Sequence, residues 1–469
     1  MLVQLLPIDQ SMEPADDKMS KKNILFTRSS ENVIKKMQPL LRKFEGDEEL
    51  VIHEVKDEAG SNLGDNYTSV MIRTVVIGKY GNGTPYKKSF MTKILPHFRP
   101  IAQFINTEAL YVTEGYMYEK ILPIIADYGP RCIYVDKDEI IMEDLREEGY
   151  INCKRQDYLD LEHTLFRYHR ISFFLYFYIN FLLIILTYVF FPPDIIIHVF
   201  NRYSHVFFLF QTLAKWHAKS LSIKLKDPEN FEKLASPLKE TIFPVDNNFA
   251  VGKTVEGGLI SAIDHLESIQ FQTAELKKAI EYVRSLRNKC YDMIAKLLSL
   301  PKDRYFTICH GDTWINNILY KHDKNGQVYD LKLVDYQISR HMSVAIDFHY
   351  FIYSSVRSCI IEDNYNNLIE LYHRTFVEKL REYGVSEEDL KNLTMEWFKS
   401  ELKTFSLYGL ITGFWLIHAV LADENSVIDM DKITVNDIEN MHFFSTEISP
   451  IKAERFKSIT LHYLRMYKQ

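Results

Sequence analysis

The densest set of reactive side chains lies in "HGDTWINN", where His310, Asp312 and Asn317 are spaced H-x-D-x-x-x-x-N. Asp335 follows in "LVDYQ", beyond a predicted hairpin. A carboxylate, an amide and a second carboxylate are the groups that phosphoryl transfer needs. One carboxylate must sit beside the attacking hydroxyl to position it and accept its proton. The amide of Asn317 and the carboxylate of Asp335 hold magnesium on the phosphates, so that charge is neutralised as the leaving oxygen departs. Either half alone is a weak signal, because His-Gly-Asp recurs by chance. The two halves, in order and flanking a hairpin, are a strong one.

The N-terminal third supplies the complement. Lys93 in "FMTKILP" lies on the third predicted strand, where an ammonium meets the phosphates. Glu114 in "TEGYMYEKILP" lies in the next helix, placed to pair with it. The turn containing Gly60, Gly64, Asn66 and Tyr67 joins the first two strands, where small residues let backbone N–H groups approach phosphates. "IMEDL", residues 141–145, ends the last strand before the helical part. It reads as a hinge whose backbone, around Glu143 and Leu145, meets an adenine edge.

The elements that must position these residues follow from pattern. "ELVIHEV", "VMIRTVVIGKY" and "YKKSFMTKIL" read as strands, the last two joined by the hairpin signal "GNGTP". A helix then runs to about Pro123, and two short strands, "RCIYVD" and "EIIMEDL", follow it. Beyond Gly149 the chain is mostly helical, apart from a hairpin of "ILYKHD" and "YDLKLVD". The resulting expectation is an α+β, two-lobed architecture. It comprises a tail over 1–23, a strand-rich N-terminal lobe with its hinge over 24–145, and a larger helical lobe over 146–469.

Bulk properties exclude several classes. Among 469 residues, 46% are hydrophobic and 25% charged, with a net charge of −7 and no long basic run. That composition suits a globular core and gives no electrostatic support for binding nucleic acid. The five cysteines (Cys132, Cys153, Cys290, Cys309, Cys359) are far apart with no zinc-type spacing, which fits a reducing, cytoplasmic setting.

The phrases "LGDNYTSVMIR", "FMTKILP", "EGYMYEKILP", "IMEDL", "LAKWHAKSL", "CHGDTWINNILY" and "LKLVDYQISRHMSVAIDFHYF" resemble the small-molecule branch of the protein-kinase-like superfamily. That branch contains the aminoglycoside phosphotransferases and choline kinases, and within it the chain looks most like the ecdysteroid kinase-like family of insects. The resemblance covers roughly 49–421, interrupted once. It implies ATP- and Mg2+-dependent phosphorylation of a small-molecule hydroxyl, such as that of an ecdysteroid or another apolar alcohol. Asp312 is then the catalytic base, Asn317 and Asp335 the magnesium ligands, Lys93 the phosphate-binding lysine and Glu114 its partner. His310 is then structural, and Asp347 caps a helix or braces a loop. Where protein kinases carry D-F-G and a long activation loop, this chain has "DYQ" and reaches "AIDFHYF" within about a dozen residues, so a protein substrate has no platform. The other readings are a choline- or aminoglycoside-type kinase, and a non-catalytic kinase-fold protein associated with a membrane. Retention of Lys93, Glu114, Asp312, Asn317 and Asp335 argues against the latter.

Other polar and aromatic residues have simpler readings. His217 in "LAKWHA" is a packing residue, and Phe405, Tyr408, Phe414 and Trp415 are core aromatics at helical spacing.

One segment conflicts with this picture. Residues 171–191 carry no charge and are about as long as the roughly 20 residues that span a bilayer. A single crossing would separate Lys93 and Glu114 from Asp312, Asn317 and Asp335, which must meet at one nucleotide. A return crossing would bury Arg202. Omitting 166–207 leaves "LDLEHTLFLFQTLAKWHAKSL", one amphipathic helix. The segment therefore reads as an insertion or a translated intron rather than a membrane anchor.

Overall fold

The structure is a computed structural model that describes residues 28–61, 69–95, 105–125, 128–153, 193–246, 249–422, 434, 436 and 447–468. The N-terminal lobe opens with helix α1 (Ser30–Glu45), which the strand-centred reading above does not single out. Its signals are local: Ser29 caps Asn32, and Gly46 ends the helix in the left-handed conformation. Three strands follow, β1 (Val51–Ala59), β2 (Val70–Lys79) and β3 (Pro85–Ile94), with "GNGTP" as the β2–β3 turn.

Helix α2 (Thr107–Tyr116) runs on through a π turn, Met117–Ile121, into Leu122–Ile125. Pro123 lacks an N–H and its ring crowds the carbonyl four residues back, so the wider turn before it accommodates the proline. Strands β4 (Cys132–Val135) and β5 (Glu139–Glu143) complete an antiparallel sheet of order β1-β2-β3-β5-β4. Alternation along β3 sends Tyr86 and Phe90 into a small core beneath α1, with Val33, Met37 and Leu41. Ser89, Met91 and Lys93 therefore face the opposite side of the sheet.

The second lobe is helical around two small sheets. Its first elements are β6 (Ile151–Asn152) and α3 (Pro193–Lys226). Helices α4 (Pro228–Ala235), α5 (Phe249–Glu267), α6 (Ala274–Ser285) and α7 (Cys290–Leu298) follow. Then come β7 (Thr307–Cys309), β8 (Ile318–His322), β9 (Val328–Leu333) and β10 (Arg340–Met342). Helices α8 (Ala345–Ser355), α9 (Ser358–Glu382), α10 (Glu387–Asn392), α11 (Met395–Val420) and α12 (Pro450–Tyr467) complete the described chain. The predicted hairpin is the β8–β9 pair, with Ile318 opposite Leu333, and β10 pairs with β7. Helix α11 packs against α8 and α5 with Phe405, Tyr408 and Phe414 fully buried, as a core helix should.

The expectations for 1–23 and 171–191 lie outside the described residues. Of the segment read as an insertion, 193–207 belongs to α3, which runs unbroken past Phe208, and Val206 is in the core. Among the described residues, no helix is long and apolar enough to cross a membrane.

Candidate active site

The β8–β9 hairpin returns the chain so that Asn317, just before β8, and Asp335, just after β9, lie at the same end of the pair. The backbone confirms the juxtaposition, since Val334 donates to the carbonyl of Asn317 at 3.0 Å. Asp335 has φ 67°, a left-handed conformation that non-glycine residues adopt only where the surroundings impose it.

Lys93 and Glu114 reach the same place from the other lobe. The Lys93 ammonium lies 2.5 Å from Glu114 and 2.8 Å from Asp335. Helix α2 can approach closely because Gly115 sits against Val135, where a Cβ would fall 2.7 Å from a methyl group. Burial pulls the Lys93 ammonium down, but Asp335 and Glu114 outweigh it and hold the group above its ordinary value. Burial pushes the Glu114 carboxyl up to about 7, against the pull of Lys93.

Asp312 lies beside this cluster and feels the charges of Asp335 and Lys93. Burial, reinforced by Asp335, pushes its carboxyl up to about 7. Its Oδ2 accepts from the amide of Asn317 at 2.9 Å, and the same amide nitrogen donates to the Asp312 carbonyl at 3.0 Å. With its nitrogen so committed, Asn317 has its amide oxygen left to offer. That oxygen and the Asp335 carboxylate form a hard donor set of the kind magnesium takes.

The loop carrying Asp312 is held from beneath by Asp347 on α8. Its carboxylate accepts the backbone N–H of His310 and of Gly311, each at 2.8 Å, and bonds His217 at 3.0 Å. Burial alone would raise the Asp347 carboxyl, but His217 and these donors hold it below the usual range. Gly311 sits at φ 88°, where a Cβ would lie 2.1 Å from the Ile338 carbonyl, so no other residue fits there. His310 is fully buried, bonded through Nε2 to the Val334 carbonyl and through Nδ1 to the Asp312 N–H, a structural role. His217 does more than pack, because it links Asp347 to the Tyr372 hydroxyl. The ligand atoms of His217, Asp347 and Cys309 lie within 4.8 Å of one another. The Cys309 thiol donates to the Ser343 carbonyl, while His217 and Asp347 bond each other, so within the fold the trio braces the loop.

The remaining expected residues divide. Glu143 pairs with Phe90 and Ile140 with Lys93. Glu143 thus lies about 10 Å along β5 from the lysine, at roughly 3.3 Å per residue. Its carboxylate pairs with Arg131, and its N–H donates to the Arg131 carbonyl. Leu145 is buried at the start of a 3-10 turn, and its carbonyl accepts from Tyr150. Gly64, Asn66 and Tyr67 lie outside the described residues. Gly60 is described, bonded to the Met71 carbonyl at 2.9 Å.

Two features escape a one-dimensional reading. Asp144, between the two hinge residues, is buried and gathers Arg73, Ser89 and Arg146 at 2.6–2.8 Å. Arg146 in turn reaches the Met91 sulfur on the cleft face of β3. Tyr350 donates its hydroxyl to Asp312 Oδ1 at 2.5 Å. Its one sequence signal is position, three residues after Asp347 and therefore on the same face of α8.

Comparison with known proteins accords with this geometry. The model of the ecdysteroid kinase-like family matches residues 63–174 and 199–385, well over half of the chain. The matched stretches leave out 175–198, within the segment read as an insertion. No curated protein matches the chain. The chain belongs to the ecdysteroid kinase-like family.

Proposed function

We propose that this ecdysteroid kinase-like protein transfers the γ-phosphoryl group of ATP to a hydroxyl of a small molecule, an ecdysteroid or another apolar alcohol. The observation that carries the reading is the meeting of Lys93 and Glu114 from the sheet lobe with Asp335 from the helical lobe. Asp312 and Asn317 lie beside them.

In this reading Lys93 meets the phosphates, with Glu114 and Asp335 fixing its rotamer. Asn317 and Asp335 hold magnesium, which when bound screens phosphate charge as the leaving oxygen departs. Asp312 orients the acceptor hydroxyl and takes its proton, while Asn317 limits how far that carboxylate can turn. The strand end at Glu143, with the Asp144 cluster behind it, takes the base end of the nucleotide. All five cysteines are free, which suits a reducing, cytoplasmic setting. The partner is a small hydroxylated acceptor, and nothing in the charge distribution favours nucleic acid.

The test is to incubate the full chain with labelled ATP, magnesium and a panel comprising an ecdysteroid, choline and an aminoglycoside. Label should pass to the ecdysteroid, and Asp312→Asn should abolish transfer while retaining nucleotide binding. Normal transfer by that variant would remove the assignment of the base. Transfer to choline or the aminoglycoside alone would remove the apolar acceptor.

A further inference from the structure

We infer that Tyr350 is a positioning residue of the transfer step, its phenol setting the Asp312 carboxylate in the orientation from which the acceptor hydroxyl is met. The inference rests on the reading of Asp312 as the base.

Helix α8 holds the 310–315 loop at successive points. Asp347 takes the N–H groups of His310 and Gly311 through its carboxylate, and Thr313 donates to its carbonyl at 3.2 Å. Ser355 accepts the N–H of Ile315 at 3.0 Å. These bonds fix the loop's backbone or the flanking residues, and none reaches the Asp312 carboxylate. Tyr350, one turn from Asp347, supplies that contact at Oδ1, while Asn317 holds Oδ2.

A carboxylate attached through one sp3–sp2 torsion has a broad, roughly two-fold rotational preference. One hydrogen bond leaves it room to swing, whereas a donor on each oxygen defines its plane. Each oxygen keeps a further lone pair for an incoming hydroxyl. The phenol is itself held in place by burial, 4% exposed, with its ring against that of Tyr408. Burial and the adjacent carboxylate keep it protonated, so it remains a donor. Deleting the hydroxyl removes one side-chain contact and leaves the backbone clamps of Asp347 and Ser355 intact. A structural role and a positioning role therefore predict different losses.

The experiment uses the full chain with Mg-ATP and whichever acceptor of the panel above takes the label. For Tyr350→Phe, turnover should fall about 10- to 100-fold, the size expected when a reacting group is misplaced by about an ångström. The dissociation constant for Mg-ATP should stay within about twofold of the wild type, so that the loss falls on the transfer step and not on nucleotide binding. Unchanged turnover in Tyr350→Phe, or a loss carried by weaker Mg-ATP binding, would overturn the inference. If Tyr350→Phe does not fold, a crystal structure of the wild type with magnesium and a non-hydrolysable ATP analogue decides. A retained phenol–carboxylate bond supports the role, and a broken one overturns it. A wild type that passes label to no acceptor of the panel strikes the kinase reading itself. An active wild type with an unaffected Tyr350→Phe strikes only the role of Tyr350.

Discussion

The ammonium of Lys93 lies 2.8 Å from the carboxylate of Asp335, 242 residues further along the chain, and the same nitrogen bonds Glu114. One buried cation thus ties strand β3, helix α2 and the segment after β9 together. In a low-dielectric setting such a cluster is costly to assemble and more costly to break, because a lone buried charge has no water to recover.

Replacing the cation without replacing the anions should therefore be severe. Lys93→Met is expected to cost about 3–5 kcal/mol in chemical denaturation and to abolish turnover. Lys93→Arg should not restore activity, since a planar guanidinium cannot take the place of a point ammonium between two carboxylates. Wild-type turnover by Lys93→Arg would show that the geometry here is less demanding than the distances imply.

Asp347 should matter for both stability and rate. Asp347→Ala leaves the N–H groups of His310 and Gly311, and the ring of His217, without their acceptor. Unsatisfied buried donors cost roughly 1–3 kcal/mol each, so a fall of at least about 2 kcal/mol in unfolding free energy is expected. Turnover should drop with it because that loop carries Asp312. A variant that loses neither would show that the loop has other support.

Gly311→Ala isolates a steric demand. The left-handed φ and the approach to the Ile338 carbonyl leave no place for a methyl group. The variant should lose on the order of 2–4 kcal/mol or accumulate as misfolded protein. Gly83→Ala also has a left-handed φ but meets nothing within 4 Å, and should cost only about 1 kcal/mol. Equal losses at the two positions would refute the steric account.

The buried histidines contribute a pH dependence of defined sign. Burial holds the His349 imidazole down at about 4, and those of His418 and His462 down at about 3. Unfolded histidine has its pKa near 6.5, so below that pH the unfolded chain binds protons that the folded chain does not. The stability contributed by the neutral rings is complete above about 6.5 and is lost as pH falls toward the folded values. For His349 alone the loss between pH 7 and 5 is on the order of 2 kcal/mol. The raised carboxyls of Glu114 and Asp312 act with the opposite sign over this range, so the His349 share is read in urea denaturation as the difference between the pH 7-to-5 change of the wild type and that of His349→Gln. An unchanged slope in that variant would mean the ring is charged inside the fold.

Much of this molecule was legible in one dimension because it rests on local physics. Alternating apolar residues marked the strands, "GNGTP" marked their turn, and the order of Asp312, Asn317 and Asp335 around a hairpin marked the chemistry. Helix α1 has caps at Ser29 and Gly46 in its sequence, but the apolar face it presents finds its purpose only against the sheet, with Tyr86 and Phe90. The end of β5 at Glu143 was legible from its apolar run, but the charge between Glu143 and Leu145, Asp144, shows its partners only once β2, β3 and the following turn are packed together.

What remained for tertiary structure was which groups touch. The spacing of Asp347 and Tyr350 is a fact of the chain, but their division of labour, one holding the loop's backbone and the other the Asp312 carboxylate, depends on α8 lying beneath the loop. In the same way, sequence order names Lys93 and Asp335, while only the closure of the two lobes brings them within hydrogen-bond distance. The physical reason is range. Capping, turn geometry and hydrophobic period act over a few residues and are written in them, whereas a buried charge takes its partner from whatever surface the fold presents to it.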